Sequence, residues 1–189
     1  MWLINTHNGI KEKGIPPVNI EEFPAIKAHL DSFGDKLKKR TDKGNTPYNL
    51  RNCAYMEDFS KQKIVWGNLN LSAQYCFVEE GIFINAPCAM IVPAERYLLA
   101  ILNSSLADYY IRTLGVTRNG GYFEYKPMFV EKLPAPTLTD EQKMHLELLI
   151  ERGDDVAVDE FVFALYHLDE SEITYITNTK KKDRKAATS

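Results

Sequence analysis

Residues 96–136 read RYLLAILNSSLADYYIRTLGVTRNGGYFEYKPMFVEKLPAP, and the spacing of apolar residues in this stretch decides the fold. Leu99, Leu102, Leu106, Tyr110 and Leu114 recur in steps of three and four, which places them on one face of an α-helix. Asn103, Ser104, Asp108 and Arg112 fall on the other side of that helix. Gly115 stands where a helix end favours a residue that tolerates positive φ, and Asn119, Gly120 and Gly121 mark a loop. A second apolar run, residues 125–133, reads as a strand that stops at Pro134 and Pro136. Upstream, residues 88–92 form a short apolar run between Pro87 and Pro93, which suits a buried strand. If the two strands share a sheet, the unit crosses over right-handed and its polar loops lie at the sheet's end.

Two further phrases extend the pattern. Residues 2–33 read WLINTHNGIKEKGIPPVNIEEFPAIKAHLDSF, and residues 47–66 read PYNLRNCAYMEDFSKQKIVW. With YLLAILNSSLADYYIR (97–112) and FEYKPMFVEKLPAPT (123–137), their order resembles the C-terminal specificity domain of TaqI-like adenine-specific DNA methyltransferases and type IIG restriction-modification enzymes. The resemblance implies a target recognition domain, which reads duplex DNA for a catalytic domain elsewhere. By the same resemblance, residues 1–138 are that domain without its upstream part, so the chain reads as a fragment or a truncated reading frame. Residues 139–179 are a small C-terminal helical appendage, and residues 180–189 are a basic tail. The fold class expected is α+β, a mixed β-sheet flanked by helices.

Composition is that of a globular protein, 44% hydrophobic and 26% charged, with no apolar run long enough for a membrane span and no secretory leader. A cytoplasmic setting is expected, with no membrane partner. The cysteines Cys53, Cys76 and Cys88 are odd in number and widely spaced, a pattern of reduced core thiols. The net charge of −3 is unevenly spread. Residues 139–172 hold eleven acidic and two basic side chains, whereas residues 36–51 hold Lys36, Lys38, Lys39, Arg40, Lys43 and Arg51 against Asp42 alone. A basic face on a weakly charged body suits phosphates, and the same charges also suit a helix C-terminus.

In chain order, residues 2–5 read as a strand, and Asn19 caps a helix with Glu21 and Glu22 in its first turn. Phe23, Ile26, Leu30, Phe33 and Leu37 are that helix's expected buried face. Residues 41–51 are a polar loop whose Lys43, Asn45, Tyr48, Asn49 and Arg51 can bond or stack on bases. Residues 63–66, 75–78 and 82–84 are β-rich, with Gly81 suggesting a hairpin between the last two. Trp66 is either core or a base-stacking surface, and its place at the end of an apolar strand favours core. Thr139 with Gln142, and Asp169 with Glu172, have capping-box spacing, and Gly153 suits a helix end.

Catalytic signatures are missing. The string Ile15-Pro16-Pro17-Val18 lacks the polar residue and the aromatic of the Asn-Pro-Pro-aromatic motif that the resemblance would require for methyl transfer. Glu141-Gln142-Lys143 lacks a partnering strand Asp for magnesium-dependent cleavage, and the four histidines are scattered. The chain is therefore not expected to be an enzyme by itself. It needs no cofactor of its own, S-adenosylmethionine and magnesium belonging to the parent enzyme by resemblance. Expected partners are double-stranded DNA and the parent's methyltransferase or nuclease domains. The DNA-contacting candidates are Lys38, Lys39, Lys43, Asn45, Asn49 and Arg51 from the basic segment, with Arg118, Asn119, Tyr122 and Lys126 from the glycine loop and its flank. A module that docks on a methyltransferase through the acidic helices, and an inactive remnant, are the alternatives.

Overall fold

A computed structural model describes residues 2–187, with side chains described through residue 179. The chain divides into two compact units, residues 1–57 and 58–189. The first unit contains short elements only, and the second adds longer helices at its C-terminal end.

In the first unit the expected long helix is broken. A single 3-10 turn, Ile20–Glu22, is capped by Asn19, whose side chain accepts from the Glu21 amide. α1 follows at Pro24–Asp31 and α2 at Asp35–Lys38, separated by Gly34 at φ +54. That left-handed residue turns the axis, so the helical face drawn through the whole stretch does not exist. Leu37 is buried, while Phe23 and Phe33 are about half exposed. No strand forms at residues 2–5, and Trp2 is fully exposed. Cross-chain hydrogen bonds hold the unit instead. Thr6 Oγ1 donates to the Tyr48 carbonyl at 2.7 Å, the Leu50 amide to the Thr6 carbonyl at 2.8 Å, and Asn49 Nδ2 to the Val18 carbonyl at 3.0 Å.

The second unit is α+β, with two three-stranded sheets in place of one mixed sheet. β1 (Lys63–Gly67) lies between β3 (Cys76–Val78) and β4 (Cys88–Ile91), and β6 (Tyr122–Glu124) lies between β2 (Leu69–Asn70) and β5 (Thr117–Arg118). Every ladder among the described residues is antiparallel. The crossover expected if runs 88–92 and 125–133 shared a sheet does not arise, since the second run forms no strand and the nearby β6 lies in a different sheet from β4. Residues 82–84 form no strand, because β3 pairs with β1 rather than with the segment after Gly81. The run 125–133 is not a strand either. Pro127 opens a helical turn, α5 at Pro127–Val130, where its fixed φ and missing N–H are tolerated.

The helix expected through residues 97–114 is two helices, α3 at Arg96–Asn103 and α4 at Ser105–Leu114. Ser104 takes an extended conformation between them, and its side chain accepts from the Ala107 amide as the cap of α4. The side chain of Asn103, the last residue of α3, pairs with Tyr75, accepting from its amide and donating to its carbonyl, both at 2.9 Å. Gly115 follows α4 at φ −97, so its role is not a left-handed cap. A Cβ there would lie 2.9 Å from the Glu124 carbonyl oxygen, and its absence lets β6 close against the end of α4.

Two apolar clusters organise this unit. One joins Ile64, Trp66, Tyr75, Leu102, Ile111, Tyr125 and Val130, and so ties β1 to α3, α4 and the end of β6. The other joins Ala100 and Ile101 of α3 to α6 (Asp140–Arg152) and α7 (Asp155–Leu165). Thr139 and Gln142 make the expected capping box, and Gly153 ends α6 at φ +66. Asp169 and Glu172 exchange side-chain and backbone bonds at the start of α8, Glu170–Ala187, longer than the single turn expected. The basic side chains of residues 180–189 lie outside the described residues. The cysteines are free thiols but not core residues, since Cys76 and Cys88 are exposed and Cys53 is half-buried. No helix among the described residues is long and apolar enough to cross a membrane.

Candidate nucleic-acid interface

Buried polar residues at the root of β6 define the site. Tyr125 is fully buried, and its hydroxyl donates to Asp108 and accepts from Arg112 Nε at 3.1 Å. Asp108, also buried, accepts from the Ala73 amide at 2.7 Å and pairs with Arg112 Nη2 at 3.1 Å. The Arg112 guanidinium lies 4.1 Å from the centre of the Phe123 ring and reaches the Leu71 carbonyl at 2.7 Å. Trp66 Nε1 donates to the Tyr125 carbonyl at 2.5 Å. One residue of β6 and one just past it are thus fixed to α4, to β1 and to the segment after β2. Burial, and then the charge of Asp108, push the Tyr125 phenol up from its ordinary range, so it stays a donor at all ordinary pH values.

This root carries a two-stranded ribbon. Arg118 pairs with Tyr122 and Thr117 with Phe123 across a three-residue turn, in which Gly120 and Gly121 stand at φ +79 and +76. Alternation along β6 sends Phe123 inward with Tyr125, and Tyr122 and Glu124 to the opposite face. Arg118 shares that outer face, since it lies across from Tyr122 and diagonal to Glu124. Glu124 is buried, yet its Oε1 accepts from Arg118 Nε at 2.7 Å, from Arg118 Nη2, and from Lys126 Nζ at 3.1 Å. The Arg118 bonds first, then Lys126, hold its carboxyl below the usual carboxylate range. Arg118, Asn119, Tyr122 and Lys126 are therefore gathered on one exposed ribbon, with a carboxylate at its base that sequence reasoning did not single out.

The six candidates of the first unit divide differently. Lys38, Lys39, Lys43, Asn45 and Arg51 are exposed. Lys39 stands 3.8 Å from Asp35, Arg51 Nε 3.3 Å from Asp42, and Lys43 Nζ donates to the Lys38 carbonyl at 3.1 Å. These are solvent-exposed contacts of small energetic weight, and they leave the cations accessible. Asn45 is held by Asn8, whose Oδ1 accepts the Asn45 amide at 2.7 Å. Asn49 is 1% exposed, and its amide nitrogen is directed to the Val18 carbonyl. It shapes the loop from inside and offers nothing to a ligand.

Each unit, taken by itself, displays cations and amides on a loop. The family model of the TaqI-like C-terminal specificity domain matches residues 19–135, more than half of the chain. The chain belongs to that family. The matched span of this specificity domain takes in both the basic segment and the ribbon, and it ends before α6. Comparison with curated proteins finds no match. Within the specificity domain, the residues that sequence reasoning missed are Asp108, Arg112, Tyr125 and Glu124. The i,i+4 spacing of Asp108 and Arg112 was the available signal for the first pair.

Proposed function

We propose that this chain is a DNA sequence-recognition domain of a restriction-modification methyltransferase, binding duplex DNA and directing a catalytic domain that is not on this chain. The observation that carries the reading is the ribbon within the matched span, which displays Arg118, Asn119, Tyr122 and Lys126 from a rigid root. A major groove admits such a two-stranded ribbon, and arginine and asparagine are the side chains that read guanine and adenine edges there. Lys38, Lys39, Lys43 and Arg51 are assigned to phosphates, which position the protein and carry no sequence information. The methyl donor and magnesium are assigned to the parent's catalytic domains, and this chain by itself neither methylates nor cuts.

Salt dependence of duplex binding tests the phosphate half of this reading. Each phosphate contact steepens the log-log slope by about 0.9, so Lys38→Ala with Lys39→Ala is expected to flatten it by up to roughly two units. If the slope stays put and only the melting temperature falls slightly, these lysines are helix-end charges and the phosphate assignment fails.

A further inference from the structure

Glu124 is the one buried carboxylate on the ribbon, and it faces the exposed Arg118. Guanidinium groups carry five N–H bonds in a fixed plane. Glu124 Oε1 takes the edge formed by Nε and Nη2. That leaves the other edge, Nη1 with the second Nη2 hydrogen, as a parallel donor pair whose spacing matches O6 and N7 of guanine. Lys126 reaches the same oxygen at 3.1 Å, so the carboxylate keeps a cation beside it when Arg118 turns to a ligand. An unsupported arginine at a ribbon tip must be ordered on binding, whereas one held by a buried group is already oriented. The carboxylate also discourages the same guanidinium from settling on a phosphate, because like charges repel.

Resting on the reading above, we propose that Glu124 is a positioning residue for sequence specificity: it holds Arg118 as a fixed two-donor fork that accepts a guanine edge in the major groove and disfavours a backbone phosphate. Lys126 then tempers the charge of Glu124 without competing for the base. The assignment distinguishes Arg118 from Lys39 and Arg51, whose carboxylate partners Asp35 and Asp42 are themselves exposed.

Selection from a library of randomised DNA duplexes by the full chain tests this, using wild type, Arg118→Ala, Arg118→Lys and Glu124→Gln. The wild type is expected to enrich a motif with a guanine position preferred by on the order of 10-fold. Arg118→Ala and Arg118→Lys should both lose that preference, and lysine should keep the salt slope because it keeps the charge but lacks the fork. Glu124→Gln should weaken the preference about threefold or more, while affinity for duplex lacking the motif is unchanged or rises. A purely structural role for Glu124 would instead lower both together. Full guanine preference in Glu124→Gln, with loss in the Arg118 variants, overturns the positioning role and leaves DNA reading intact. Full preference in Arg118→Lys overturns the fork. Should Glu124→Gln lose its thermal transition, Arg118→Lys decides alone, since Arg118 is half exposed and its replacement leaves the ribbon's root untouched. A wild type that enriches no motif overturns the proposed function, and the role of Glu124 with it.

Discussion

Replacing Asp108 with alanine is expected to lower the stability of the second unit by about 3–5 kcal/mol, the range for breaking a buried ion pair from one side. The physical reason is the set of groups left behind. Arg112 would stay against Phe123 and the Leu71 carbonyl without the Asp108 carboxylate beside it, while the Ala73 amide and the Tyr125 hydroxyl would each lose an acceptor. Urea denaturation of the two proteins measures the difference, and a change in midpoint at constant slope identifies it as stability. A loss below about 1 kcal/mol would mean that the pair is solvated and is not the ribbon's anchor. The double variant Asp108→Asn with Arg112→Met removes both charges, and it should cost less than Asp108→Ala alone.

Trp66→Ala is expected to cost a similar amount, about 3–5 kcal/mol, through lost apolar burial and the cavity left behind. The indole is 4% exposed, packs against the Tyr75 ring at a tilt of 40° with ring centres 5.3 Å apart, and donates to the Tyr125 carbonyl. Trp66→Phe keeps most of the volume but leaves that carbonyl without its donor, so a smaller loss of about 1–3 kcal/mol is expected. Were Trp66 a base-stacking surface, both variants would weaken DNA binding at unchanged stability. The measured order, alanine well below phenylalanine and phenylalanine below wild type, separates the two roles.

Elements whose signals are local were legible in the sequence. The capping box at Thr139, the left-handed Gly153, the Asn19 cap and the strand that carries Trp66 all depend on neighbours a few residues away, and each forms close to where the spacing puts it. The features that were not legible depend on partners far along the chain. Helical spacing puts Asp108 and Arg112 opposite the apolar face but carries no sign of Tyr125 or the Ala73 amide, the distant partners that Asp108 meets there. Ser104 falls on the polar side of the one helix that the spacing predicts, and its power to cap a second helix outweighs continuity. Gly115 was identified for the wrong property, since its missing side chain matters rather than its φ. Among the candidate site residues, the sequence could mark Arg118 and Lys126 as cations, but not the carboxylate that gathers them.

The ribbon's strands have a further consequence, one of reach. β6 is three residues long, and Phe123 and Glu124 are paired to β2, so only Tyr122, Arg118 and the three-residue turn between them stand clear of that pairing. A major groove is about 8.5 Å deep and about 12 Å wide. A tip this short cannot travel along a groove, and the long Arg118 side chain rather than the backbone has to supply the reach to its floor. On the proposed reading, a turn of three residues flanked by Arg118 and Tyr122 meets the edges of one or two neighbouring base pairs at most. Any longer recognition sequence must be assembled from separate fingers of this kind, each contributing a letter or two and each held by its own root.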